Sequence, residues 1–209
     1  MYSSPYATAL TFGRYLSTPL LEKGAYVARV RHQREAIGGF NPYSIFGGAV
    51  RNDLRSGTPG VHVQRSVSTV LPKYAPLYQV LVEGWSVFLA GLRDSGACHY
   101  EKVSSATIVR SGLPINVNPH VGMRRPTHEV EVLYLWFDKN RPTAETVNGI
   151  LRLMDLHMTQ IRPQGGVPVI VDVRRGVVHR GYTVPVVKVD QMITGEAAAF
   201  AATWAPVAA

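Results

Sequence analysis

Between residues 75 and 92, Leu77, Val80, Leu81, Trp85, Phe88, Leu89 and Leu92 recur at spacings of three and four. That spacing predicts an amphipathic helix with one apolar face. Glu83 falls on the opposite side of the wheel, and Gly91 and Gly96 bracket the stop. A second stripe, Val147, Ile150, Leu151, Met154, Met158 and Ile161, predicts a helix from about Thr143 to Ile161. Thr143 and Glu145 suit its N-terminus. Ile193, Ala197, Phe200, Ala201 and Trp204 repeat at helical spacing in a last helix, with Asp190 as the expected cap. Residues 1–35 read as partly helical, with Leu10, Tyr15, Leu16 and Leu20 at mixed spacing and a basic cluster of Arg29, Arg31, His32 and Arg34.

The period then changes to two. From His128 to Phe137, Val130, Val132, Tyr134 and Trp136 point one way and Leu133, Leu135 and Phe137 the other. Apolar residues on both faces predict a strand at the centre of its sheet. Val167–Val173 is a shorter dense strand, and Arg174-Arg175-Gly176 turns it into a hairpin with Val177-Val178-His179. Leu113–Asn118 alternates, His99–Ile108 does so weakly, and Pro119–Pro126 reads as a turn rich in Gly and Arg. Gly and Pro are dense between residues 38 and 60, which predicts loops around one short helix at 43–55. No phosphate-binding glycine motif occurs there, so this segment is read as structural.

The expected fold class is α/β, with a central mixed sheet flanked by helices. One domain is expected over 1–209: a helical and loop extension at 1–74, a core at 75–173, then a hairpin and C-terminal helix at 174–209.

Composition narrows the class. Of 209 residues 46% are hydrophobic and 17% charged, which suits a packed core rather than disorder. The first residues, Met1-Tyr2-Ser3-Ser4-Pro5, show no secretory pattern, and no apolar run approaches a membrane span. Cys98 is the lone cysteine, so neither an internal disulfide nor a Cys-rich zinc site is expected. A cytoplasmic protein without membrane partners follows as the expectation. The net charge is +8, which points to phosphate backbones, DNA or RNA, as partners, or to ordinary solubility.

From 75 to 173 the expected order is helix, three strands, helix, strand. With Pro119-His120 and Glu129-Val130-Glu131 in place, that order resembles the core of the PD-(D/E)xK, restriction-endonuclease-like superfamily. The resemblance implies a carboxylate after the proline and an E-x-K on the third strand. It also implies a divalent metal, Mg or Mn, that polarises a phosphate and activates water. This chain departs twice: histidine follows the proline, and glutamate stands where the lysine belongs. His120, Glu129 and Glu131 are the candidate catalytic and metal-ligating residues. Glu83 joins the metal set because the superfamily sometimes adds a glutamate from its first helix. On spacing alone, Glu129 and Glu131 share a strand face, and His120 approaches them if the segments pair as a hairpin. Two carboxylates and an imidazole suit Mn²⁺ or Zn²⁺. Ion pairs of these glutamates with Arg124, Arg125 or Arg110 are the alternative.

Asp172 ends a dense strand, where α/β sites often form, unless it pairs with Arg174. Arg124, Arg125, Arg174, Arg175 and Arg180 are expected to form one basic rim for nucleic-acid phosphates. Cys98 beside His99 is not read as a nucleophile, because adjacent strand residues point apart. The leading function is thus a nucleic-acid-associated protein on a nuclease-like scaffold with an altered or inactive metal site. A structural or assembly protein forming homo- or hetero-oligomers is the first alternative, supported by the low charged fraction, the Gly/Pro-rich 38–60 and the Ala-rich 197–209. A metal-dependent phosphohydrolase is the second.

Overall fold

A computed structural model describes residues 4–35, 41–92 and 97–204. Gly38, Gly39 and Phe40 of the Gly/Pro-rich segment, Gly96 after the first strong helix and the tail at 205–209 lie outside the described residues. In chain order the elements are β1 (Ala7–Thr8), α1 (Ala9–Leu16), α2 (Lys23–Glu35), α3 (Ser44–Ser56), α4 (Val61–Thr69) and α5 (Ala75–Ala90). There follow β2 (His99–Glu101), β3 (Ala106–Arg110), β4 (Leu113–Val117), β5 (Val121–Arg124), β6 (Val130–Trp136), α6 (Ala144–Leu156) and α7 (Met158–Ile161). The chain closes with β7 (Val167–Asp172), β8 (Val177–Arg180) and α8 (Val186–Trp204).

The fold is mixed α/β. A five-stranded sheet runs β2-β5-β6-β7-β8 and a three-stranded sheet runs β1-β4-β3. β6 and β7 are parallel, and the other neighbours in the larger sheet are antiparallel. A parallel pair needs a crossover, and α6 with α7 supplies it. Every residue of β6 is buried, as its two-sided pattern requires. Val132, Tyr134 and Trp136 pack towards α1, α2, α6, α8 and the smaller sheet. Leu133, Leu135 and Phe137 pack towards α3, α4 and α5. The larger sheet is thus sandwiched between two helical layers.

Several sequence expectations change here. Pro119–Pro126 is not simply a turn: Val121–Arg124 forms β5, with Val121 and Met123 buried. Gly122 permits the close approach of β2, since a Cβ there would lie 2.8 Å from the Glu101 Cβ. The short helix expected at 43–55 is present as α3, and α4 follows it where no helix was expected. The buried Asp53 carboxylate of α3 accepts from the backbone N–H groups of Gly60, His62 and Val63 at 2.9, 2.6 and 3.3 Å. Those are orphan donors at the start of α4. The stripe on α5 is rotated: Val80 is exposed, while Tyr78, Val82 and Gly84 join Leu81, Trp85 and Phe88 inside. The expected helix from Thr143 to Ile161 breaks at His157. Asp190 lies inside α8, where it binds Arg152 at 2.7 Å instead of capping the helix.

Candidate functional site

The register of the β5–β6 hairpin decides where the sequence-derived site residues stand. His120 precedes Val121 and donates its backbone N–H to Leu133 O at 2.9 Å. Arg125 donates to Glu129 O at 2.8 Å at the other end of the same hairpin. His120 and Glu129 are therefore about 16 Å apart along the strands. On β6, His120 meets Leu133, Tyr134, whose ring lies edge-on at 5.1 Å between centroids, and Leu135, which donates its N–H to His120 Nδ1 at 3.0 Å.

The proposed metal ligands do not surround one point. Glu131 is buried, and its Oε1 accepts from Arg180 Nε and Nη2 at 3.0 and 2.8 Å. Glu129 and Glu83 are exposed, the latter on the outer face of α5. Among the described residues no three His, Cys, Asp or Glu side chains are disposed to hold a metal ion. The donor set expected of a Mg or Mn centre at His120, Glu83, Glu129 and Glu131 does not fit.

The expected basic rim is likewise split between the two ends of the sheet. Arg124 and Arg125 stand at the amino end of β6, and Arg180 at the same end of the neighbouring strands. Arg124 donates to Glu101 through Nε at 2.7 Å, which removes it as a partner of Glu129 or Glu131. Arg174 and Arg175 follow β7 at the carboxyl end. Arg174 donates to Phe137 O at 2.7 Å, and Arg175 pairs with the buried Asp172 at 2.9 Å and donates to Lys139 O. Asp172 thus pairs with Arg175 rather than Arg174, because the chain turns immediately after β7.

At that carboxyl end the structure gathers residues that no local motif linked. A groove of about 740 Å³ lies between α1, α2 and the loop that follows β6. Five cations, Arg14, Arg29, Arg34, Lys139 and Arg141, face it against two carboxylates, Glu22 and Asp138. Asp138 is taken by Arg14 at 2.6 Å. Arg29 stacks over Tyr26, 5.3 Å from the ring centroid, and Arg34 over Tyr6 at 4.5 Å. Burial pushes the Tyr26 hydroxyl up to about 12 and lowers the Arg34 guanidinium from its usual value, which still leaves phenol neutral and guanidinium charged at pH 7.

A smaller cavity of about 260 Å³ adjoins the groove and shares Arg14 and Asp138 with it. Its inner wall holds His120, Arg51 and Tyr43. Arg51 Nη1 donates to His120 O at 3.3 Å, and Tyr43 stacks on Phe137 at 4.7 Å between centroids. Burial, helped by the Arg51 charge, pushes the His120 imidazole down to about 4. With Nδ1 accepting from Leu135, the neutral ring carries its proton on Nε2. His120 is therefore a fixed neutral donor near two guanidinium groups, an arrangement that favours an anion.

Arg29 and Arg34 were visible as a basic cluster, but Arg14, Arg51, Lys139 and Arg141 carried no signal in isolation. The contacts that join them are long in sequence, as Arg14 to Asp138 shows. No protein-family model matches the chain, and no curated protein matches it. No helix among the described residues is long and apolar enough to cross a membrane.

Proposed function

We propose that this protein binds nucleic acid through the carboxyl-end groove, on a nuclease-like scaffold whose metal chemistry is lost. The observation that carries this is the five-to-two excess of cations over carboxylates in one groove. It lies beyond the carboxyl end of β6, half of the parallel pair, where open α/β sheets bind ligands. Arginine forks on a chain of net charge +8 suit a phosphate backbone. Tyr26 is covered by Arg29 and Tyr43 stacks on Phe137, so phosphate contact rather than base stacking carries the binding.

One feature supports the scaffold. Within the larger sheet and its helices, α5-β2-β5-β6-α6-β7 runs α-β-β-β-α-β, with β5 in the place expected of Leu113–Asn118 and the β3–β4 hairpin in the smaller sheet. Against retained metal chemistry, no carboxylate of β6 meets His120, whose neighbours there are Leu133, Tyr134 and Leu135, so binding without cleavage is the expected outcome. A cytoplasmic site of action belongs to the same proposal.

The test is fluorescence anisotropy with labelled single- and double-stranded DNA and RNA over a salt series. Affinity falls steeply as salt rises. The Arg29→Ala, Arg141→Ala double variant weakens binding and reduces the salt slope by about two phosphate contacts, whereas Arg124→Ala changes little. No retention at low salt overturns the proposal, and cleavage with Mn²⁺ overturns the loss of metal chemistry. Assembly with other chains, homo- or hetero-oligomeric, is a second reading favoured by Leu20 and Leu21, which are 81% and 97% exposed side by side. Sedimentation of the purified chain, with and without Leu21→Asp, tests it.

A further inference from the structure

A separate cavity of about 490 Å³ opens at the amino end of the sheet, between the end of α5, the β5–β6 turn and the β7–β8 hairpin. Part of its wall is apolar, from Val87, Phe88, Leu92 and Val178. The rest is charged, from Arg125, Arg180, Glu129 and Glu131.

Two of those charged groups are incompletely satisfied. The Glu131 side chain is only 6% exposed. Its Oε1 takes both bonds from Arg180, while its Oε2 is buried with no hydrogen-bond partner. Arg125 Nη1 is buried without a partner as well. Buried polar atoms are almost always paired, and an orphan is costly to leave unmet. Both residues line the cavity, and a small turn of each side chain brings the orphan acceptor and the orphan donor to a ligand that donates one hydrogen bond and accepts another.

Charge and shape narrow that ligand. Two arginines and two glutamates balance, so neither an anion nor an ammonium gains a Coulombic advantage there. A bridging water satisfies the two orphans but leaves most of the volume facing Phe88 and aliphatic side chains. A flat, neutral heteroaromatic ring with an N–H beside an acceptor atom meets both demands. Carboxylates accept from base N–H groups, and arginine donates to base oxygens and ring nitrogens, when proteins read bases. The volume suits a base with its sugar.

We propose that this cavity binds a nucleobase. A base N–H is donated to Glu131 Oε2, a base oxygen or nitrogen accepts from Arg125 Nη1, and the ring lies against Phe88 and Val178. The site is at the opposite end of the sheet from the groove and needs no phosphate, so it stands independently of the groove.

The test is calorimetric titration of the full chain with guanosine, which carries no phosphate, at a salt concentration that suppresses backbone contacts. Saturable binding is expected. Arg125→Met removes the orphan donor and weakens binding by about tenfold. Val87→Trp, at a position 58% exposed on α5, fills the cavity without altering a buried charge and abolishes binding. Arg29→Ala in the distant groove leaves guanosine affinity unchanged. The proposal is overturned if guanosine does not bind, or if both cavity variants bind it like the parent. It is also overturned if Arg29→Ala, and not Arg125→Met, weakens binding.

Discussion

Glu131 on β6 and Arg180 on β8 form an ion pair across the intervening strand β7, with both guanidinium bonds, at 3.0 and 2.8 Å, ending on one carboxylate oxygen. Glu131 is 4% exposed, so Arg180 is the paired counter-charge of a buried carboxylate. Arg180→Ala leaves a buried carboxylate without a counter-ion and should lower stability by about 1–3 kcal/mol. Adding Glu131→Leu to that variant should recover much of the loss, because removing both partners leaves no orphan charge. Urea unfolding of the two single variants and the double variant measures the coupling. Additive losses would show that the pair contributes nothing as a pair.

Helix α5 lies closest to the sheet at Gly84. A Cβ on that residue would sit 1.9 Å from the Val173 carbonyl oxygen, which is backbone and cannot swing aside. Gly84→Ala should therefore push α5 off the sheet, costing about 3 kcal/mol, the upper end of ordinary overpacking. Gly195 gives the matched control: it lies within α8 and an added Cβ meets nothing within 4 Å. Gly195→Ala should stabilise the chain by about 0.5–1 kcal/mol, because alanine is the better helix former. Thermal denaturation of both variants should show shifts of opposite sign.

The contrast between β6 and β5 explains what was legible in the sequence. β6 announces itself because seven consecutive residues are buried on two faces, in a short run rich in β-branched and aromatic residues. β5 is four residues, Val-Gly-Met-Arg, flanked by prolines. Its glycine, which reads as a turn signal, is there because Glu101 packs against it. α4 was hidden for a related reason, since its capping carboxylate comes from the preceding helix. The rotated stripe on α5 follows from Gly84, whose missing side chain makes it the contact point although it adds nothing to an apolar count. The candidate groove was harder still: its charges come from α1, α2 and the loop after β6. Only the packing of α1 against α6, with Thr146 donating to Gly13 O at 2.7 Å, brings them together.

Asp53 tests whether one non-local cap holds α4. Its two oxygens accept from three backbone N–H groups between 2.6 and 3.3 Å. Asp53→Ala should cost about 2 kcal/mol, more than a single exposed cap, because the side chain is buried and serves three donors. Asp53→Asn keeps one acceptor oxygen and should cost less. Hydrogen exchange locates the effect: the amides of Gly60, His62 and Val63 should lose protection before the amides of β6 do. Uniform loss across both elements would mean that α4 and the sheet unfold as one unit.

His120 gives the protein a pH dependence with a defined sign. Its imidazole titrates near 4 in the folded chain against an ordinary value of 6.5, because burial and the Arg51 charge disfavour the protonated ring. Between those two pH values the unfolded chain binds a proton that the folded chain refuses. The contribution is therefore fully present above about pH 6.5 and is lost as pH falls towards 4, where the folded ring also protonates. The ring is only partly shielded, so the loss over that window should be about 2 kcal/mol rather than the full linkage value. His120→Gln has no such proton to bind. Urea midpoints at pH 7.5, 6, 5 and 4.5 should fall more steeply for the parent chain than for His120→Gln, with the difference growing throughout the window. Parallel curves would mean that the imidazole titrates alike in both states and that Arg51 and burial do not act on it.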